Sequence, residues 1–293
     1  MAKNQKQQSD IDKNTVKQLR KAAERNDAQA QFKLSLCFSL GRGIRKDDAE
    51  SVKWLRKAAE LNLAIAQFNL GLRYYEGEGV AQDYLEAAMW FRKAAEQNQA
   101  YAQYNLGVCF EKGQGVTKDE AEAVKWYRKA AEQNFVPAQN NLGNSYRHGK
   151  GVDKNAEEAV KWLSKAAEQN VAESQLSLGR CYFNGEGVAK DDVEAVKWIR
   201  KAAEQNFAEA QFDLGLLFSN GEGVKQNYVK AYKWFALAAS QNHTKAEQGL
   251  AYITILMEPE EIAEAKRLVH GLKPVMKKTL SRIQSETETA ATK

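Results

Sequence analysis

Every tryptophan in the chain stands 36 residues from the next: Trp54, Trp90, Trp126, Trp162, Trp198 and Trp234. A period this strict means one supersecondary unit stacked on copies of itself, and it sets the class of fold before any single-residue preference is weighed. It also redirects the search for function. Catalytic side chains are usually single and repeated ones are usually scaffold, so function is to be sought where the copies differ.

Asn62 to Gln97 serves as the type unit. The spacing predicts a first helix over Ala64–Glu76, with Ala66, Leu70 and Tyr74 on one face. The residue after the leucine is always small: Ser35, Gly71, Gly107, Gly143, Gly179, Gly215 and Ala251. A glycine inside a helix costs about 1 kcal/mol relative to alanine, so its reiteration predicts close approach by a neighbouring helix. Gly77 then suits a left-handed C-terminal cap. The recurring G-x-G-(V/I) is not read as a nucleotide loop, because no strand precedes it and no lysine–serine pair follows. The second helix opens on Asp47, Asp83, Asp119, Asn155, Asp191 or Asn227, with glutamate three residues on in five copies. That is the spacing of a reciprocal capping box. The helix carries the tryptophan and an Ala-Ala pair, and it stops at Asn62, Asn98, Asn134, Asn170, Asn206 or Asn242. Asparagine tolerates the left-handed cap.

The cysteines obey the same register. Cys37, Cys109 and Cys181 lie 72 residues apart, in one slot of alternate repeats. Stacked helices at about 8–10 Å put these sulfurs about 20 Å apart, whereas a disulfide needs Cα atoms within about 7 Å. They are read as small filler residues of a chain in a reducing compartment.

The motif A-x-A-Q-x-x-L-G-x-x-(Y/F)-x-x-G-x-G-V-x-x-D-x-x-E-A-x-x-W-x-x-x-A-A-E runs from Asp27 to Asn242. It resembles the Sel-one-like repeat (SLR) family, a relative of the tetratricopeptide repeats. The resemblance implies an all-α, right-handed α-solenoid of stacked antiparallel helix pairs. One departure is consistent: the family usually has glycine after the second helix, and this chain has asparagine.

On this reading residues 1–14 are a polar basic tail and 15–25 an N-terminal capping half-repeat with Gln18 in the tryptophan slot. Six units fill 26–241. Residues 242–283 hold a divergent repeat and capping helices, one starting at Pro259 and ending at Gly271 and Pro274, with a basic segment to Ile283. Residues 284–293 are a polar tail.

The expected function is protein–protein interaction. The resemblance implies that the first helices line a concave groove. The inner slots of the type unit are Ile65, Asn69, Leu72 and Glu76, and these vary while their neighbours stay constant. The candidate contact residues are Asn69, Asn105, Asn141, Leu72, Val108, Asn144, Tyr101, Lys112, His148 and Arg180. The three leading asparagines share one slot, and their amides offer both donor and acceptor to a peptide backbone. The expected partner is an extended peptide or helix of another protein, held by a scaffold or adaptor. Two alternatives stand beside it: a bacterial effector acting in a host cell, and a spacer without a preferred ligand.

Net charge is +5, from 43 basic and 38 acidic residues, and the basic residues of the second helices alternate with glutamates such as Glu60, Glu96, Glu132 and Glu168. A solvated face of intrahelical ion pairs is expected there, not a nucleic-acid site. No stretch approaches eighteen uninterrupted apolar residues, so no membrane span is expected. The first thirty residues lack the apolar centre of a secretory signal, which points to the cytoplasm or, on the effector reading, the host cytosol. The three histidines, His148, His243 and His270, have no metal-ligand spacing. No cofactor, metal or enzymatic activity is expected.

Overall fold

The computed structural model describes residues 13–270, and the chain there is helical with no strand among the described residues. The first-type helices are α2 (Ala28–Leu40), α4 (Ala64–Glu76), α6 (Ala100–Lys112), α8 (Val136–His148), α10 (Ala172–Asn184), α12 (Ala208–Asn220) and α14 (Thr244–Leu256). The second-type helices are α1 (Lys13–Ala23), α3 (Asp48–Glu60), α5 (Tyr84–Glu96), α7 (Glu120–Glu132), α9 (Ala156–Glu168), α11 (Asp192–Glu204), α13 (Tyr228–Ala239) and α15 (Pro259–His270). From α1 to α7 and from α9 to α14 each helix packs on the next, and α15 packs on α13; the chain is an all-α repeat solenoid. The contacts gather into two compact units. One reaches Ala138 and includes Lys150–Val152; the other holds Gln139–Gly149 and continues from Asp153. The expected segments beyond His270 and the first twelve residues lie outside the described residues.

The first helix ends as its sequence dictates. Gly77 takes φ +75°, and its N–H closes back on Arg73 O. This leaves the Tyr74 carbonyl without a helical donor, and Asp83 N–H bonds it at 2.9 Å from across the loop. The bond recurs in both units, from Asp119 to Phe110 and from Asp191 to Tyr182. It corrects the expected reciprocal capping box. Asp83 caps the second helix by accepting from Glu86 N–H, but the N–H that glutamate was to satisfy is already bonded. The glutamates turn outward instead. Glu50, Glu122, Glu158 and Glu194 pair with Lys53, Lys125, Lys161 and Lys197 one turn on.

The close approach predicted at the glycine column is present, but the residue that fills it is not tryptophan. A Cβ on Gly71 would lie 2.6 Å from the Phe91 ring, and one on Gly107 2.7 Å from Tyr127. The knob is the residue after each tryptophan, and Phe91 is fully buried. The tryptophans lie further out. Trp90, Trp126 and Trp162 are buried, whereas Trp54, Trp198 and Trp234 are half-buried. A lysine three residues on lies over the indole: Lys57, Lys93, Lys129, Lys165 and Lys201, at 4.0–4.4 Å from the ring centre. These cation–π contacts replace the expected pairing with Glu60 and its equivalents.

The asparagine turn has a reason beyond backbone tolerance. Asn62 takes φ +63°, as its six equivalents do within 62–67°. Its side-chain Oδ1 accepts from Gln67 Nε2 and from Gln97 Nε2, both at 3.0 Å. Gln97 Nε2 also reaches Gln67 Oε1 at 2.7 Å. Asn62, Gln67 and Gln97 are the start, the first helix and the last residue of one unit, so three amides clasp each repeat shut. Glycine at the turn would supply the dihedral and lose the clasp. Asn98, Gln103 and Gln133 repeat it, as do Asn170, Gln175 and Gln205. In the first unit's opening repeat the last position is Leu61. There Gln31 Nε2 bonds Ala23 O at 3.0 Å, while its buried Oε1 has no partner.

Candidate partner-binding face

The variable slots of the first helices differ in character between the units. In the first unit half of those on α2, α4 and α6 are apolar, and most of these are open. Leu40 and Tyr101 are 56% exposed, and Leu36 and Ile65 nearly 40%. Leu72 and Val108 are half-buried beside them, and Lys112 is exposed at the end of α6. Tyr101 is fixed although it faces solvent. Its ring centre lies 5.9 Å from that of Phe68 and 4.7 Å from that of Phe135. An aromatic side chain held on one side and open on the other offers contact area at little entropic cost.

The asparagines of this unit are half engaged. Asn69 Nδ2 donates to Ile65 O at 2.7 Å, and Asn105 Nδ2 to Tyr101 O at 2.8 Å. Each amide spends one of its two donors on its own helix, so each keeps one N–H and its carbonyl oxygen. Sequence alone treats the amide as equally donor and acceptor.

In the second unit several of these slots are bonded, to one another or to polar residues that stand where the first unit has apolar ones. Asn140 accepts from Ser174 Oγ at 2.7 Å and donates to Glu173 at 3.1 Å. Asn144 accepts from Ser177 Oγ and donates to Asn140 Oδ1. Arg180 is tied to Asp213 Oδ2 at 2.7 Å and to Glu209 Oε1 at 3.0 Å. The other Glu209 oxygen meets His243 Nε2 at 2.8 Å. His243 Nδ1 accepts the Ala246 N–H at the start of α14, so the proton of the neutral ring is on Nε2 and points at Glu209. The bond from His243, and then Arg180, hold the Glu209 carboxyl below its ordinary range against the opposing effect of burial. Asn141 is half-buried, and His148 is exposed at the end of α8. The structure therefore gives Asn144 and Arg180 cross-repeat partners within the chain. Leu36, Leu40 and Ile65 carry more open apolar surface than their neighbours, and the signal for them was a run of apolar residues in variable slots.

The three cysteines are free and buried. Burial pushes the Cys109 thiol up to about 11, which leaves it unreactive at neutral pH. No helix among the described residues is long and apolar enough to cross a membrane.

The Sel1 repeat model matches six consecutive segments, residues 28–63, 64–99, 100–135, 136–171, 172–207 and 208–243. Among solved structures, a protective antigen present in uropathogenic Escherichia coli strains and displaying an SLR fold is 38% identical, with a TM-score of 0.78. The match covers 85% of this chain and 54% of that one, so this chain spans about half the length of that relative. A Sel1 repeat protein from Oxalobacter formigenes is 32% identical over 78% of this chain and 100% of the other, with a TM-score of 0.69. No curated protein matches.

Proposed function

The chain belongs to the Sel1 repeat family, and on that premise we propose that it is a non-enzymatic adaptor that holds a segment of another protein against the first helices of its first unit. Repeats of this family in general mediate contacts between proteins and are typically scaffolds without catalysis. The observation that carries the finer reading is the contrast between the two sets of variable slots. In α10 and α12 Arg180, Glu209 and Asp213 bond to one another and Leu216 is the one exposed large apolar residue, whereas Leu36, Leu40, Ile65 and Tyr101 are together open to solvent and apolar. Open aromatic and aliphatic side chains on rigid helices are the usual anchors of a protein interface. Between them Asn69 and Asn105 each keep a carbonyl oxygen and one amide N–H for the backbone of an extended peptide.

The test compares the proteins retained from the native cell by the full chain and by a variant with Leu40→Asp, Ile65→Asp and Tyr101→Asp. The variant is expected to keep its helical circular dichroism and lose the specific partner. Equal recovery on both would overturn the reading.

A second reading, action outside the producing cell, has in its favour the E. coli relative described as a protective antigen. Immunodetection confined to the cell pellet, with none at the surface or in the medium, contradicts it.

A further inference from the structure

Helix α14 starts on a titratable cap. At the same position before other first-type helices, Asp27 and Gln99 accept the N–H three residues on, from Ala30 at 3.0 Å and Ala102 at 2.6 Å. Leu63, Val171 and Phe207 offer no side-chain acceptor, and their helices start without one. His243 holds this position for α14, and its Nδ1 accepts the Ala246 N–H at 3.2 Å. Its Nε2 lies 2.8 Å from Glu209 Oε2, and its ring stacks on Phe212 with centres 4.8 Å apart. The side chain is only 14% exposed. One neutral ring thus holds α14 by accepting and α12 by donating and stacking.

We propose that His243 is a pH-sensitive latch: in acid its ring stays with α12 and releases the first turn of α14. A protonated imidazole has two N–H groups and no acceptor. Its Nδ1–H would point at the Ala246 N–H and at the positive end of the α14 dipole, so a bond becomes a repulsion. The contacts with α12 strengthen instead. The bond to Glu209 becomes charge-assisted, and the stack on Phe212 becomes a cation–π contact. Glu209 is held below the ordinary carboxyl range, first by His243, and so is ionised where imidazoles change charge, about pH 5–8. Arg180 of α10 would oppose a second cation, but Asp213 of α12 shares its charge. The first turn of α14 carries Lys245 and Glu247, of opposite sign, and the last turn of α13 carries no charge. The cap is therefore present on the alkaline side of the ring's titration and is lost as pH falls through it. Helix α14 does not unfold on release. Ala246 N–H also lies 2.9 Å from His243 O, the bond by which Ala66 starts the uncapped α4 on Leu63.

NMR of the full chain, titrated from about pH 8 to about pH 5, tests this. At the alkaline end the ring nitrogen shifts of His243 should report a protonated Nε2 and a bare Nδ1. As the ring titrates, the Ala246 amide resonance should move with the same midpoint. Its protection from hydrogen exchange should fall about fivefold, the typical worth of a capping side chain. His243→Gln is the control, since Gln99 caps α6 at the same position with a side chain that does not titrate. In that variant the Ala246 resonance and its protection should stay constant. A proton on Nδ1 at the alkaline end overturns the proposal. So does an Ala246 amide indifferent to the titration of the ring, or an equal response in His243→Gln.

Discussion

Leu61→Gln should close the amide clasp of the opening repeat at almost no cost in overall stability, although it exchanges an apolar residue for a polar one. In the type repeat Gln97 Nε2 bonds Asn62 Oδ1 and Gln67 Oε1. In the opening repeat Leu61 stands at that position, and the buried Gln31 Oε1 is unpartnered. A buried acceptor without a donor costs about 1–3 kcal/mol, and supplying the donor recovers that. Leu61 is 44% exposed, so the apolar burial lost is about 1 kcal/mol. Ordering the glutamine offsets about 1 kcal/mol more. These terms sum to within about 1 kcal/mol of zero, at roughly 2–4 °C in Tm per kcal/mol for a chain of this size, so the global change is small and the local one is the reading. The reverse change is the stronger half of the test. Gln97→Leu orphans Gln67 Oε1 and should cost about 1–2 kcal/mol. Hydrogen exchange of the amides in α2 and α4 gives the local reading, since repeat arrays need not unfold in a single step. Protection should rise in α2 for the first variant and fall in α4 for the second. If Leu61→Gln lowers protection while Gln97→Leu leaves it intact, the clasp contributes nothing and the reasoning fails.

Three further expectations follow from the same packing. Gly107→Ala places a Cβ 2.7 Å from the buried Tyr127 ring; overpacking should exceed the helix-propensity gain and cost about 1–2 kcal/mol net in guanidinium unfolding. Lys125→Met should release Glu122 from its ion pair to accept the buried, unpartnered Trp126 Nε1–H. Helix α5 already has this arrangement, with Met89 in the lysine slot and Trp90 Nε1 on Glu86 at 3.0 Å. A downfield shift of that indole proton and a gain of about 1 kcal/mol are expected, and an unmoved resonance contradicts it. Glu209 is held below its ordinary range, first by His243. Its stabilising contribution is therefore complete above the ordinary glutamate value of about 4.3 and is lost as pH falls through the lowered one. Glu209→Gln should flatten the loss of urea stability between about pH 5 and 3, and identical slopes would show that Glu209 is not coupled to folding.

Helix limits, the left-handed asparagine turns and the glycine column were legible because each recurs in register. Ala64–Glu76 was predicted and is the span observed. What escaped the sequence reading runs between copies. The capping glutamates were assigned to a donor that the preceding helix had already engaged through the Tyr74 carbonyl. Comparing one slot down its column isolates Arg180 as variable and available. Its partners Glu209 and Asp213 lie 29 and 33 residues on, in other columns. The signal was present, since among the six units the only arginine in that slot is followed by a repeat with acids at both facing slots, but only a diagonal comparison reveals it. The amide clasp hid for a similar reason: each member had a sufficient local explanation, and the link between them spans a whole unit.

That link has a consequence for how such a chain can change length. Asn98, Gln103 and Gln133 are bonded within one 36-residue block, and the block's two ends sit side by side. Excising Asn98 to Gln133 would join Gln97 to Asn134 and sever none of the amide bonds of the blocks that stay. A gene that gains or drops such a block therefore hands the ribosome a polymer whose junctions already fit, so the number of copies can drift without the joints having to be reinvented.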